Sequence, residues 1–147
     1  MSGVVCAVRG GPHSQATILK AIELARDSNL QLHFLYIVNL DFLTYTESSR
    51  VRTVTHEMEQ MGDFILLAAA DQAQKAGVEA VTEIRHGSVG EEIVSYSQEI
   101  EATYIVLGMP QGSEEEDVFT QERLKELEAR IEEESGADVI FAGGEEE

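Results

Sequence analysis

Basic residues are scarce in this chain of 147 residues. Ten lysines and arginines stand against 28 aspartates and glutamates, for a formal net charge of −18. A surface this negative repels phosphate backbones and anionic headgroups, which argues against nucleic acids and membranes as partners. Cysteine is scarcer still. Cys6 is the only one, so no disulfide forms within the chain, and its place in the apolar run VVCAV makes it a buried, unreactive thiol. No apolar run approaches the roughly 20 residues of a membrane helix, and the opening MSGVVCAVRGG lacks the layout of a signal peptide. The expectation is a cytoplasmic protein.

Motifs of familiar catalysis are also missing. HEMEQ, residues 56–60, opens like the zinc motif H-E-x-x-H, but Gln60 stands where the second imidazole belongs, so no metal is expected. Neither G-x-x-x-x-G-K-[ST] nor G-x-G-x-x-G occurs. Ser14 has no recognisable base and orienting acid, so nucleophilic catalysis lacks support. His33 lies in an apolar run and reads as a satisfied core histidine. His86, next to Gly87, is the histidine best placed to meet a ligand. These readings together predict a protein that is not an enzyme.

What is present is an alternation. A hydrophobic content of 43% fits one soluble domain, residues 1–144, followed by an acidic end at 145–147. Residues 4–8 (VVCAV), 32–38 (LHFLYIV), 78–84 (VEAVTEI), 103–108 (TYIVLG) and 137–144 (ADVIFAGG) read as strands, the third more alternating and so nearer a sheet edge. Between them run helical patterns. Ser14 caps one that carries Ile18, Ile22 and Ala25 on a single face. The next spans residues 53–76, turns Met58, Met61, Ile65 and Ala69 inward, and stops at Gly77. Ser88 and Glu91 form a capping box before Val89, Ile93, Tyr96 and Ile100. Leu124, Leu127 and Ile131 mark the last helix. Strand and helix in strict succession, joined by right-handed crossovers, predict a mostly parallel sheet of five strands with helices on both faces. Ligands of such sheets bind beyond the carboxyl ends of the strands. The two glycine-bearing turns follow strands one (Gly10, Gly11) and four (Gly108, Gly112), so they share one crevice if those strands are neighbours.

Two stretches carry a family resemblance. VVCAVRGGPHSQATILKAIELARDSNLQLHFLYIV resembles the opening strand, serine-bearing turn, alanine-rich helix and second strand of the universal stress proteins. HGSVGEEIVSYSQEIEATYIVLG is similar to that family's third-helix region and fourth strand. The resemblance runs in order through nearly the whole chain, well in the first two-thirds and poorly in the last. It implies strand order 3-2-1-4-5, often a homodimer through the fifth strand, and no established catalysis. It also implies either ATP binding or its loss, since the family holds both groups. In binders an aspartate ends strand one, and a G-x2-G-x9-G-[ST] loop after strand four wraps the phosphates.

Carried over by position, that aspartate is Arg9, and Ala7 stands two residues before it. Ile37 falls where backbone groups contact adenine, and Leu107 and Gly108 open the loop. Gly87 lies beside the crevice. After Gly108 the pattern fails. The next glycine, Gly112, follows three intervening residues rather than two, and ten residues further stands Glu122. Backbone amides that cradle phosphate need glycines for close approach and positive φ, and SEEEDVFTQ has none. Ser113 with Glu116 reads instead as a second capping box, with the acids favouring a helix start. Residues 113–147 hold 14 of the 28 acids against three bases, a net of −11, leaving −7 for residues 1–112. The charge suits a solvated helix face.

RGGPHS also resembles the S-G-G-x-D-S loop of ATP pyrophosphatases, but Arg9 and His13 replace its serine and aspartate. The expected function is a non-enzymatic, stress-associated regulatory module without cofactor. It would be a homodimer through the strand that begins at Asp138 and ends at Gly143, with a further protein partner left open. The alternative is an ATP or AMP binder with an atypical loop.

Overall fold

Strands and helices alternate without exception in the computed structural model, which describes residues 3–8, 14–39, 48–108 and 117–142. The order is β1 (Gly3–Ala7), α1 (Ser14–Ser28), β2 (Gln31–Val38), α2 (Ser48–Lys75), β3 (Ala80–His86), α3 (Val89–Ile100), β4 (Tyr104–Gly108), α4 (Asp117–Ser135) and β5 (Asp138–Ala142). All strand pairs are parallel, and the sheet order is β3-β2-β1-β4-β5. The chain starts in the middle, winds to one edge, then returns past its start to the other. Strands β1 and β4 are therefore neighbours, with Cys6 opposite Val106, and the order reverses between them as expected.

Side chains of period 2 sort the core into two layers. Val4, Cys6, Phe34, Tyr36 and Val106 point to the face covered by α1 and α2, where Ile18, Ile22, Ala25, Leu66 and Ala69 meet them. Val5, Leu35, Ile105 and Val139 point to the other face, against Ile93 and Tyr96 of α3 and Ile131 of α4. Each large side chain buried this way contributes about 1.5–3 kcal/mol. Cys6 is fully buried, and burial pushes its thiol well above the usual range. No helix among the described residues is long and apolar enough to cross a membrane.

Three local expectations are corrected. Helix α2 begins at Ser48, five residues before the expected Thr53. Met61 does not face the sheet: it is 56% exposed. The buried stripe of α2 runs through Gly62, Leu66, Ala69 and Ala73, and Met61 lies one residue, about 100°, off it. Gly62 reaches the sheet because it has no side chain, for a Cβ there would stand 2.4 Å from the Tyr36 ring. Ser88 has the extended backbone of an N-cap, but its side chain makes no capping hydrogen bond. Only its carbonyl is engaged, accepting from the Glu92 amide at 2.9 Å. At helix ends Gly77 (φ 84°) and Glu101 (φ 56°) take the left-handed conformation that stops the turn. The second capping box at Ser113 lies outside the described residues.

Candidate functional site

A cavity of about 290 Å³ opens at the carboxyl end of the sheet. Alternation in the strands builds its floor: Ala7 from β1, Leu35 and Ile37 from β2, Leu107 from β4 and Phe141 from β5 all project toward the α3–α4 layer. Helix α3 supplies Val89 and Ile93, and α4 supplies Leu127. Val8 and Gly108 complete the rim where the two central strands end. Val89 is 41% exposed although it sits on the inward side of α3, because the space before it is this opening.

Four of the residues expected at the site come together here: Ala7, Ile37, Leu107 and Gly108. Gly87 does not line the cavity. It turns the chain from β3 into α3 with φ 139°, and its amide donates to the Val38 carbonyl at 3.0 Å. Arg9, Gly112 and Ser113, like Gly10 and Gly11, lie outside the described residues. His86 points away. It stands on the α2 side of β3, half exposed, with Nε2 2.6 Å from the Glu59 carboxylate. Val8, Leu35, Val89, Ile93, Leu127 and Phe141 also line the cavity and were not expected at the site, although Val89, Ile93 and Leu127 were placed on helix faces. Period 2 in the strands and the Leu127–Ile131 face of α4 were the available signals.

Gly108 has a steric reason that needs no ligand. A Cβ there would lie 2.7 Å from Oγ1 of Thr17, a buried residue of α1. The described lining is otherwise aliphatic apart from one aromatic ring, so its polar contributions come from backbone. Such a surface holds an uncharged, flat or branched apolar group by desolvation. Among the described residues no cluster of acids, histidines and cysteine is arranged to hold a metal ion.

A dense polar cluster lies elsewhere, between α3 and the β3 edge, with Arg85 beside Ile37 of β2 and Glu83 beside Leu35. The Arg85 guanidinium sits 5.0 Å from the Tyr96 ring centre and donates to Glu99 at 2.6 Å and Glu83 at 2.8 Å, with Glu92 at 3.6 Å. Glu99 and then Glu83 hold that guanidinium charged, against some desolvation. His33 Nδ1 and the Tyr96 hydroxyl share a hydrogen bond of 2.9 Å, and burial lowers the imidazole below its usual range. The imidazole is satisfied, as expected, but half-buried rather than in the core. Arg85 is committed to its three carboxylates, and the cluster reads as the tie between α3 and the β3 edge.

A doubly wound parallel sheet of order 3-2-1-4-5, with an apolar crevice at the point where strand order reverses, defines a Rossmann-type α/β protein. The universal stress protein family model matches residues 1–120, and the chain belongs to that family. Its fold is similar to that of the universal stress protein UspA from Lactobacillus plantarum (TM-score 0.73, 17% identity, 96% of this chain and 97% of that one). It is also similar to the universal stress protein from Archaeoglobus fulgidus in complex with dAMP (TM-score 0.64, 16%, 97% and 98%). A third likeness is to a universal stress protein family protein from Arabidopsis thaliana with AMP bound (TM-score 0.59, 14%, 96% and 90%). No curated protein matches the sequence.

Proposed function

We propose that this protein is a non-enzymatic regulatory module of the universal stress type, in which the apolar half of a nucleotide crevice is kept and the phosphate-binding half is lost. The observation that carries this reading is the contrast across Gly108. Before it, Ala7, Leu35, Ile37 and Leu107 line a ring-sized apolar cavity. After it, the sequence replaces the glycines of a phosphate loop by Glu114, Glu115, Glu116 and Asp117. Backbone amides without glycine cannot approach a phosphate closely, and four carboxylates oppose its charge. Gly108 itself is accounted for by Thr17. Signalling would then run through assembly and protein contacts in the cytoplasm. Among the described residues strand β5 has a partner on one side only, and an apolar edge of this kind invites pairing with a second copy.

A second reading, an AMP or ATP binder, is favoured by the dAMP and AMP bound to two relatives of the same fold. Titration calorimetry with adenosine, AMP and magnesium ATP separates the two. The proposal expects no heat of binding from ATP at millimolar concentration, and none in an Arg9→Asp variant, since the glycines would still be missing. Saturable micromolar ATP binding by the natural chain would replace the proposal with the second reading.

A further inference from the structure

Helix α2 has two apolar faces, and the sheet covers one of them. Opposite the buried stripe, Met61, Phe64 and Leu67 are 56%, 72% and 70% exposed, with exposed Ala68 among them. At about 100° per residue these four lie within roughly 60° of the Phe64 direction. Leu19, Val81 and Val89, the other large apolar side chains exposed among the described residues, are scattered over α1, β3 and α3. Scattered ones are ordinary, whereas three on successive turns of one helix form a surface that excludes water when covered.

The border of this patch is acidic. Glu57 lies two turns before Phe64 and Asp71 two turns after it on nearly the same line, with Asp63 on the flank, all exposed. The exposed bases Arg52 and Lys75 stand toward the ends of the helix, and Lys75 is engaged by Asp71 at 3.2 Å. Size and charge then select the occupant. The three large side chains expose roughly 400 Å², about half of the 800 Å² per partner that a stable protein pair buries. A second copy through this face would also bring −18 against −18. A single helix of three to four turns matches both the length between Glu57 and Asp71 and the area.

We propose that this face of α2 docks a basic amphipathic helix from another protein. Its apolar residues at i, i+3, i+4 and i+7 cover Met61, Phe64 and Leu67, and its lysines or arginines meet Glu57, Asp63 and Asp71. The proposal is independent of what the crevice binds.

The probe is a fluorescein-labelled peptide of 18 residues with leucine at that spacing and lysine elsewhere, and a twin with glutamate for lysine. In fluorescence anisotropy at low salt the lysine peptide binds the full chain and the glutamate twin does not. The double variant Phe64→Gln, Leu67→Gln weakens binding by on the order of tenfold, and Leu19→Gln on α1 leaves it unchanged. Absence of binding to the natural chain overturns the proposal, as does binding that survives the double variant, which would be charge attraction alone. A dimer that the double variant splits in sedimentation would assign the face to a second copy. A free face also requires the double variant to melt within about 2 °C of the natural chain. A larger fall would mean that the chain covers this face itself, and would overturn the proposal equally.

Discussion

Replacing glycine by alanine inside a helix normally stabilises it, and Gly62→Ala should do the reverse. Gly62 is buried in the middle of α2, where the helix crosses β2. An added Cβ would stand 2.4 Å from Cδ2, 2.7 Å from Cε2 and 3.0 Å from Cγ of Tyr36. Carbon atoms pack at about 3.5–4.0 Å, so helix or ring must give by about 1 Å. Tyr36 is 7% exposed and lies within the packed layer of Phe34, Val38 and Leu66, which leaves the ring little room. Overpacking of this kind costs about 1–3 kcal/mol, and three short contacts with a ring place it at the upper end. Alanine returns about 1 kcal/mol of helix propensity. The net is a loss of about 2 kcal/mol, or about 4–8 °C in melting temperature.

Urea unfolding followed by far-ultraviolet circular dichroism measures the loss directly. The companion variant Tyr36→Ala removes Cγ, Cδ2 and Cε2, so Gly62→Ala in that background should be neutral or mildly stabilising, a coupling of about 2 kcal/mol in a double-mutant cycle. Gly90→Ala in α3 is the control. Its Cβ would meet only Leu127 Cδ1, at an ordinary 3.5 Å, and stability should hold. A Gly62→Ala protein as stable as the natural chain would refute the close approach of α2 to β2.

Two further outcomes test the assembly and the half-buried histidine His33. If β5 pairs with a second copy, Ile140→Lys on that strand should sediment as a folded monomer where the natural chain is a dimer; an unchanged sedimentation coefficient would sink this interface. His33 is held below the ordinary imidazole value of about 6.5 by burial, with the Tyr96 hydroxyl and Arg85 nearby on α3 and β3. The unfolded chain therefore takes up this proton first. Its stabilising effect is complete above about pH 6.5 and fades as pH falls toward the lowered folded value. Urea midpoints between pH 8 and 5 should fall more for the natural chain than for His33→Gln, and parallel curves would refute the assignment.

Periodicity alone decided the architecture. The apolar runs that became β1, β2, β4 and β5 are β-branched and short, and the segments between repeat at 3.6, so only a sheet covered on both faces can bury them. Periodicity placed Ile18, Ile22 and Ala25 in the core, while Ala7, Ile37, Leu107 and Gly108 came from the family resemblance and line the cavity at the carboxyl end. It went astray where helical spacing admits more than one face. Met58, Ile65 and Ala69 do pack toward the sheet, but Met61, placed on the same stripe, is 56% exposed, and Gly62 takes the place beneath Tyr36. A bulky ring on the preceding strand is invisible to local pattern. The same holds for Gly108, which a motif assigns to phosphate and the packing of Thr17 explains without one. His86, adjacent in sequence to the crevice turn, faces Glu59 because strand alternation sends it to the opposite side of the sheet. Sequence settled which residues are apolar and how they repeat. Only the tertiary structure decided which of them face one another, because contact between elements depends on side-chain volume at the crossing point, and volume matters only once the partner is in place.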